Sequence, residues 1–299
     1  MDATERLISG MYHASAKMEW RELRAWGLAE LCRHFGATAG VWWMRGADAP
    51  SGELTQYPQP FLDPAALMAV SSPVADSPTV QILEAAPGPG MLLVKRTGSS
   101  GPINTLFLKF AGQAALPTSD AFGRVGSHLL EAGALALALF INRDDWLFSM
   151  GRSNRGSAAL IDAAGTVYSS SLRFSALFDE SGLSLSSGRL SFELPEEKLG
   201  SDGGEFMHGQ IHFRLARHGM LYLLHARRPL PLDSLSPREQ EIARALSDGK
   251  TLKSIARQYG IAVSTVANHT TRIYRKLSIY RREELVELIR ARPQPAIKP

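Results

Sequence analysis

The stretch from Leu235 to Ile289 admits few folds, because start and stop signals cut it into helices too short to be stable alone. Ser236-Pro237-Arg238-Glu239 reads as a capping box. The serine hydroxyl accepts from a free backbone N–H, Glu239 reaches back, and Pro237 sits where no donor is needed. The helix so begun carries Ile242, Ala245 and Leu246 on one side and stops at Gly249, a residue suited to the left-handed conformation that ends helices. Thr251 caps a second helix, with Leu252, Ile255 and Ala256 inward and Lys253 and Arg257 outward, and Tyr259-Gly260 forms a tight turn. From about Val263 to Leu277, Val266, Thr270, Ile273 and Leu277 recur at helical spacing and form a packing face. The opposite stripe is Ser264, Asn268, Thr271 and Arg275, flanked by Ala267 and Arg272 and ending in a cluster with Lys276, Arg281 and Arg282. Short hydrogen-bonding side chains suit base edges and the cations suit phosphates, so this helix is built to enter a DNA groove.

The run LSPREQEIARALSDGKTLKSIARQYGIAVSTVANHTTRIYRKLSI resembles the LuxR/FixJ-type helix-turn-helix, whose members share the L-[ST]-x-R-E opening, the I-A, the T-V-x-x-H and the I-x-x-K-L. The resemblance implies that Thr265 and Lys276 touch the DNA backbone and that Ala267, Asn268 and Thr271 face bases. Two positions depart from the pattern: Ala267 stands where lysine is usual, and Ser254 where the family has an acidic residue. The departure at Ala267 shifts base reading toward Asn268, whose amide can pair bidentately with adenine. The expected DNA-binding set is Lys253, Arg257, Ser264, Thr265, Asn268, Thr271, Arg272, Arg275 and Lys276, the five cations serving phosphates. His269 has no second ligand at helical spacing and reads as structural.

Charge supports this division of labour. Residues 233–299 hold 13 Lys+Arg against 7 Asp+Glu, a net of +6, and the remaining residues hold 20 against 22, a net of −2. The cationic field is therefore local to the C-terminal end, as a DNA footprint requires. At roughly 100–200 residues per domain, the 299-residue chain has room for two or three domains, and its apolar share of 44% allows substantial cores. The longest uncharged apolar stretch, Ala132 to Ile141, falls short of the ~18–20 residues of a bilayer span. The opening MDATERLISG has neither a basic start nor an apolar run, so a cytoplasmic location is expected. Cys32 is the sole cysteine, which excludes an internal disulfide or a multi-cysteine metal site.

Arg227-Arg228-Pro229-Leu230-Pro231 is a stiff linker, and the proline-rich end from Arg292 to Pro299 is expected to lack regular structure. Between 155 and 228 the pattern is mostly strands. Ala158 to Ile161 and Thr166 to Tyr168 flank a turn at Asp162-Ala163-Ala164-Gly165, a helix carries Phe174, Leu177 and Phe178, and Arg189 to Leu194, Gln210 to Ala216 and Met220 to Ala226 follow as strands. With its L-I-D-x-x-G-x-V segment this order resembles a PAS domain, although Ser169 and Ser170 stand where PAS sequences often carry Asn. His208, His212, His218 and His225 invite a metal reading, but alternation opposes His212 to Ile211, Phe213 and Leu215 and turns it toward solvent or a neighbouring domain.

Residues 1–150 open with a helix from Glu19 to Phe35, a strand from Thr38 to Met44 and a Pro/Gly/Ser-rich loop from Ala47 to Pro60. Leu92 to Lys95 and Asn104 to Phe110 can pair across Gly98 to Gly101, and a long helix runs from Ser119 to Asp145. The layout resembles a GAF-like sensor domain. Trp42, Trp43 and the facing strand around Phe107 are its candidate ligand-binding residues, with plain core packing as the alternative. In the long helix Phe122, Val125, Leu129, Ala136 and Phe140 mark a seam, and Gly123, Gly126, Gly133, Ala134 and Ala138 allow close approach of a second chain, of the helix's own sheet, or of both on different faces.

Enzyme signatures fail: Gly249-Lys250-Thr251 ends like a phosphate-binding loop, but the first glycine would fall on Arg244, and no G-x-S-x-G, H-E-x-x-H or CxxC occurs. The sequence thus predicts a non-enzymatic α+β regulator. It has a GAF-like domain at 1–150, a PAS-like domain at 155–228 and an all-α helix-turn-helix domain at 233–292. Its expected partners are double-stranded DNA, a second copy of the chain, a small-molecule effector and RNA polymerase, with no membrane, cofactor or metal. Two alternatives stand beside it, an acyl-homoserine-lactone receptor and a protein-interaction scaffold that has lost DNA binding.

Overall fold

The computed structural model describes residues 2–46, 52–58, 79–83, 90–96, 101–111, 116–143, 157–186, 188–200 and 203–290. The chain divides into two compact units, 1–227 and 228–299.

The first unit begins with α1 (Ala3–Lys17) and α2 (Trp20–Phe35). Five strands follow, β1 (Ala39–Arg45), β2 (Gly52–Tyr57), β3 (Thr79–Leu83), β4 (Gly90–Arg96) and β5 (Ile103–Lys109), and then the long α3 (Ser119–Asn142). The strands pair antiparallel in the order β2-β1-β5-β4-β3. Helix α1 is absent from the sequence expectation, although Asp2 and Glu5 form a complete capping box at its start. Part of the expected loop from Ala47 to Pro60 is also strand. The run GELTQY has one apolar residue inside it, Leu54, because an edge strand needs only one partner, and β2 pairs with β1 from Gly40↔Tyr57 to Arg45↔Gly52. The other residues of that stretch, apart from Pro58, lie outside the described residues.

The three helices bury Met11, Leu28, Leu31, Phe122, Val125 and Leu129 against Trp42, Leu93 and Leu106 on one face of the sheet. The opposite face gathers Val41, Trp43, Leu92, Val94, Ile103 and Phe107, with Leu54 packed beside them.

A second sheet is built from β6 (Ala158–Ile161), β7 (Val167–Ser170), β10 (Gly203–His208), β11 (Ile211–His218) and β12 (Leu221–Arg227), with α4 (Leu172–Glu180), the small ladder β8 (Leu185–Ser186) with β9 (Arg189–Leu190), and α5 (Glu196–Leu199) in between. Its order, β10-β11-β12-β6-β7, repeats that of the first sheet when strands are counted within each. The expected strand from Arg189 to Leu194 is corrected here. Only Arg189 and Leu190 pair, while Leu190 and Leu194 turn into the core, and the third strand of the sheet is instead β10, whose Phe206 lies opposite Phe213. Its opening Gly203-Gly204 disguised it as a loop.

The expected alternation along β11 is present, with Ile211, Phe213 and Leu215 in the core, but its other face is not solvent. His212, His225 and Arg227 are all buried, and His212 Nε2 lies 3.4 Å from Glu205 Oε2. Among the described residues no group of His, Cys, Asp or Glu is arranged to hold a metal ion.

The seam of α3 is occupied within the chain. Phe122, Val125 and Leu129 face the first sheet, while Ala136, Leu137 and Ile141 join Ala158, Leu160, Tyr168, Leu221 and Leu223 of the second sheet and Trp20, Leu23 and Met44 of the first half. Length and composition would let α3 cross a membrane, but its apolarity serves two cores.

The second unit has a 3-10 turn (Pro231–Ser234) and four helices, α6 (Pro237–Ser247), α7 (Leu252–Tyr259), α8 (Val263–Leu277) and α9 (Arg282–Arg290). Ile242, Leu246, Ile255, Val266, Ile273 and Leu285 are its buried centre.

Candidate nucleic-acid interface

The capping box at Ser236 is complete. Ser236 Oγ accepts from the Glu239 N–H at 3.4 Å, and the Ser236 N–H donates to Glu239 Oε2 at 2.8 Å. That same carboxylate oxygen accepts from Lys276 Nζ at 2.6 Å, so the start of α6 is tied to the last turn of α8. The Lys276 ammonium and the Ser236 backbone N–H hold the buried Glu239 carboxyl down to about 2.

Two arginines brace the remaining corners. Arg282 donates to the Leu246 carbonyl oxygen, which also accepts from the Gly249 N–H at 3.1 Å, and, at 3.0 Å, to that of Lys250, bracing the turn that follows α6. Arg238 lies 4.3 Å from the Tyr259 ring centroid, donates to the Tyr259 carbonyl and pairs with Glu241 at 2.7 Å. Thr251 caps α7 as expected, and Gly260 closes it in the left-handed region at φ +63°.

Helix α8 then presents its outer face. Val266 and Ile273 are fully buried, and Ser264, Asn268, Thr271, Arg272 and Arg275 are exposed on the other side. Lys253 and Arg257 are exposed on α7, and Thr265 is half-buried. Lys253, Arg257, Arg272 and Arg275 make no ion pair within the described residues, which leaves them available to an external anion. Lys276 is exposed too, but its ammonium already has the Glu239 partner. Arg282, expected within the cationic cluster, is instead committed to backbone carbonyls. The Ala262 N-cap gives α8 no side-chain cap, so its first N–H groups have no side-chain partner. His269 is half-buried, with Nδ1 enclosed and without a hydrogen-bond partner.

The expected ligand residues of the first sheet separate. Trp42 faces the helices, with Nε1 donating to Asn104 Oδ1 at 3.0 Å and the Arg24 guanidinium 4.7 Å from its ring centroid. Trp43 and Phe107 lie together on the opposite face. Directly opposite Trp43, and two residues before Phe107 on the same strand, is Thr105, buried and with its hydroxyl without a partner.

Short capped helices around an apolar centre, with an exposed helix that is uncharged at one end and cationic at the other, define a helix-turn-helix DNA-binding domain. Residues 233–289 match the family model described as bacterial regulatory proteins, luxR family. The likeness identifies residues 233–289 as a LuxR-type DNA-binding domain. No curated protein sequence matches the chain. Among solved structures it is similar to Escherichia coli SdiA, at 12% identity and a TM-score of 0.31 over 94% of each chain. The GAF domain of a Pseudomonas syringae pv. tomato protein described as a sensor histidine kinase is 18% identical, at a TM-score of 0.35, over 50% of this chain and 93% of that one. A ligand–DNA complex of VqmA from Vibrio cholerae is 16% identical, at a TM-score of 0.20, over 48% of this chain and 85% of that one.

Proposed function

We propose that the chain is a cytoplasmic transcription regulator that binds a pseudo-palindromic operator as a homodimer and takes its signal through the two sheets of the first unit, a GAF-like and a PAS-like module. The observation that carries the DNA contact is the outer face of α8, with Ser264, Asn268 and Thr271 free of charge and Arg272 and Arg275 free of internal ion pairs. Lys253, Arg257, Arg272 and Arg275 serve phosphates, Thr265 and Lys276 add backbone contacts at the edges, and Asn268 and Thr271 face bases. Lys276 then has two tasks, because its ammonium can meet a phosphate only while also holding Glu239. Contact with RNA polymerase would follow from promoter-proximal binding.

The experiment is duplex binding across a salt series. Arg272→Ala or Arg275→Ala is expected to weaken all sequences alike and to flatten the logarithmic salt slope by about one unit per lost phosphate contact. Asn268→Ala should cost about 1–3 kcal/mol, mainly on the cognate site. Unchanged salt slopes in both arginine variants would remove α8 from the interface.

For the signal, the supporting observation is Thr105, a hydroxyl buried without a partner beside Trp43 on an apolar sheet face. A small apolar or aromatic effector seated there would stabilise the fold by about 2.7 kcal/mol at a hundredfold excess over its Kd. It would also change DNA affinity reciprocally. A metabolite screen read by melting and tryptophan fluorescence tests this, and Thr105→Val should abolish a genuine response.

A further inference from the structure

The outer face of α8 changes chemistry part-way along. Its first turns expose Val263, Ser264, Asn268 and Thr271, with Ala267 half-buried among them and no charge in the set, and the cations Arg272, Arg275 and Lys276 begin only beyond. Guanine shows two acceptors in the major groove, O6 and N7, which arginine or lysine reads. The leading half of this helix has neither residue. It offers one amide, the Ser264 hydroxyl and a row of methyl groups instead.

Asn268 is exposed and makes no hydrogen bond within the described residues, so its donor and its acceptor are both free for adenine N7 and N6. Thr271 stands one turn beyond Ala267, and its hydroxyl donates to the Ala267 carbonyl oxygen at 3.1 Å. With that hydrogen committed to the helix backbone, Thr271 keeps no donor for a base edge and offers its methyl instead. Val263, the first residue of the helix, is 42% exposed, an apolar side chain left at the leading end. Val263, Ala267 and Thr271 recur every four residues and so form one row along the surface. The feature of the major groove that apolar side chains recognise is the C5 methyl of thymine.

We infer that α8 specifies an A·T step, with Ala267 and Thr271 packing on thymine methyl groups, Val263 at the rim, and Asn268 reading the adenine beside them. The inference rests on the DNA-binding reading above and names the base chemistry of the site. Its cations fix register on the phosphates and contribute no guanine reading from this half of the helix.

The test starts by selecting bound duplexes from a randomised library with the full-length chain, then measuring affinity for the selected site with deoxyuridine in place of thymidine at each position. Two positions per half-site should lose about fourfold in affinity for each methyl removed. Thr271→Ser, which keeps the hydroxyl and removes the methyl, should bind the thymidine and deoxyuridine duplexes equally at one of those positions. Ala267→Lys should move the preference at the other from thymine toward guanine. Selection of G·C pairs opposite Ala267 and Thr271, or salt-dependent binding indifferent to deoxyuridine, would overturn the inference and leave the DNA-binding reading standing. Failure to bind any duplex at low salt would overturn both.

Discussion

Glu239 shows how one side chain can hold the proposed reading surface in place from the start of another helix. Its carboxylate closes the capping box at Ser236 and accepts from Lys276, 37 residues later, so the start of α6 fixes the end of α8. The cap was legible, because Ser-Pro-x-Glu is a local pattern. The partner was not, since pairing across the domain depends on how the helices pack. Glu239→Gln should keep the neutral cap and lose the ion pair, a cost of about 1 kcal/mol measurable by chemical denaturation. Its folded-state pKa is lowered to about 2, so the carboxylate's contribution is complete above the ordinary carboxylate range and is lost as the pH falls toward 2. The glutamine variant should be correspondingly less sensitive to acid over that window. Ser278 gives the opposite case. It closes α8 at φ +53°, a region that side chains with a Cβ avoid, while the Ile279 N–H donates to the Tyr274 carbonyl at 3.0 Å. Ser278→Gly should therefore stabilise the domain by about 1 kcal/mol, raising its melting temperature.

At the scale of elements, α3 carries the clearest disagreement between pattern and packing. Its row of small residues allows a neighbour to come close, and the sequence does not say which neighbour. The structure puts the chain's own sheet against Gly126 and Gly133, while Ala134 stays exposed on another face. A Cβ on Gly133 would sit 2.4 Å from the Trp42 ring, and one on Gly126 2.6 Å from Leu93. A second chain cannot use that face. Substituting Leu129, which is fully buried, would break a core and not a dimer. Alanine favours helix over glycine by about 1 kcal/mol, yet overpacking costs about 1–3 kcal/mol. Gly133→Ala should therefore destabilise the first unit and perturb Trp42 emission. A rise in melting temperature would mean that the ring yields. The strands tell a related story: β11 and β12 were legible from alternation, whereas β2 and β10 were not, because an edge strand pairs through its backbone and needs few apolar side chains.

At the scale of the whole molecule, a signal proposed to enter at the first sheet would have to pass to the rest of the first unit, and two connections among the described residues stand out beside the packing of Trp20, Leu23 and Met44 on the second sheet. One is α3, which packs on both sheets. The other is Arg21 in α2, which pairs with Glu53 on β2 and reaches the turn between β11 and β12, where Nη1 lies 2.6 Å from His218 Nε2 and Nη2 donates to the His218 carbonyl at 3.0 Å. The His218 ring stacks on Phe140 of α3 at 5.2 Å and lies 6.2 Å from Trp20. To accept from a guanidinium, the imidazole must be neutral, and burial, then the neighbouring Arg21 charge, push its pKa below the ordinary value, with Glu53 opposing. The junction is then fully formed above about pH 6.5 and weakens as the pH falls through the lowered pKa, where protonation sets His218 against Arg21. The melting temperature of the full chain should fall between pH 7 and pH 5 by more than that of His218→Gln, whose amide oxygen can still accept from Arg21 but does not titrate. Equal pH dependence in the two proteins would show that protonating His218 costs the folded chain no more than the unfolded one, and the neutral imidazole would then not hold this junction together.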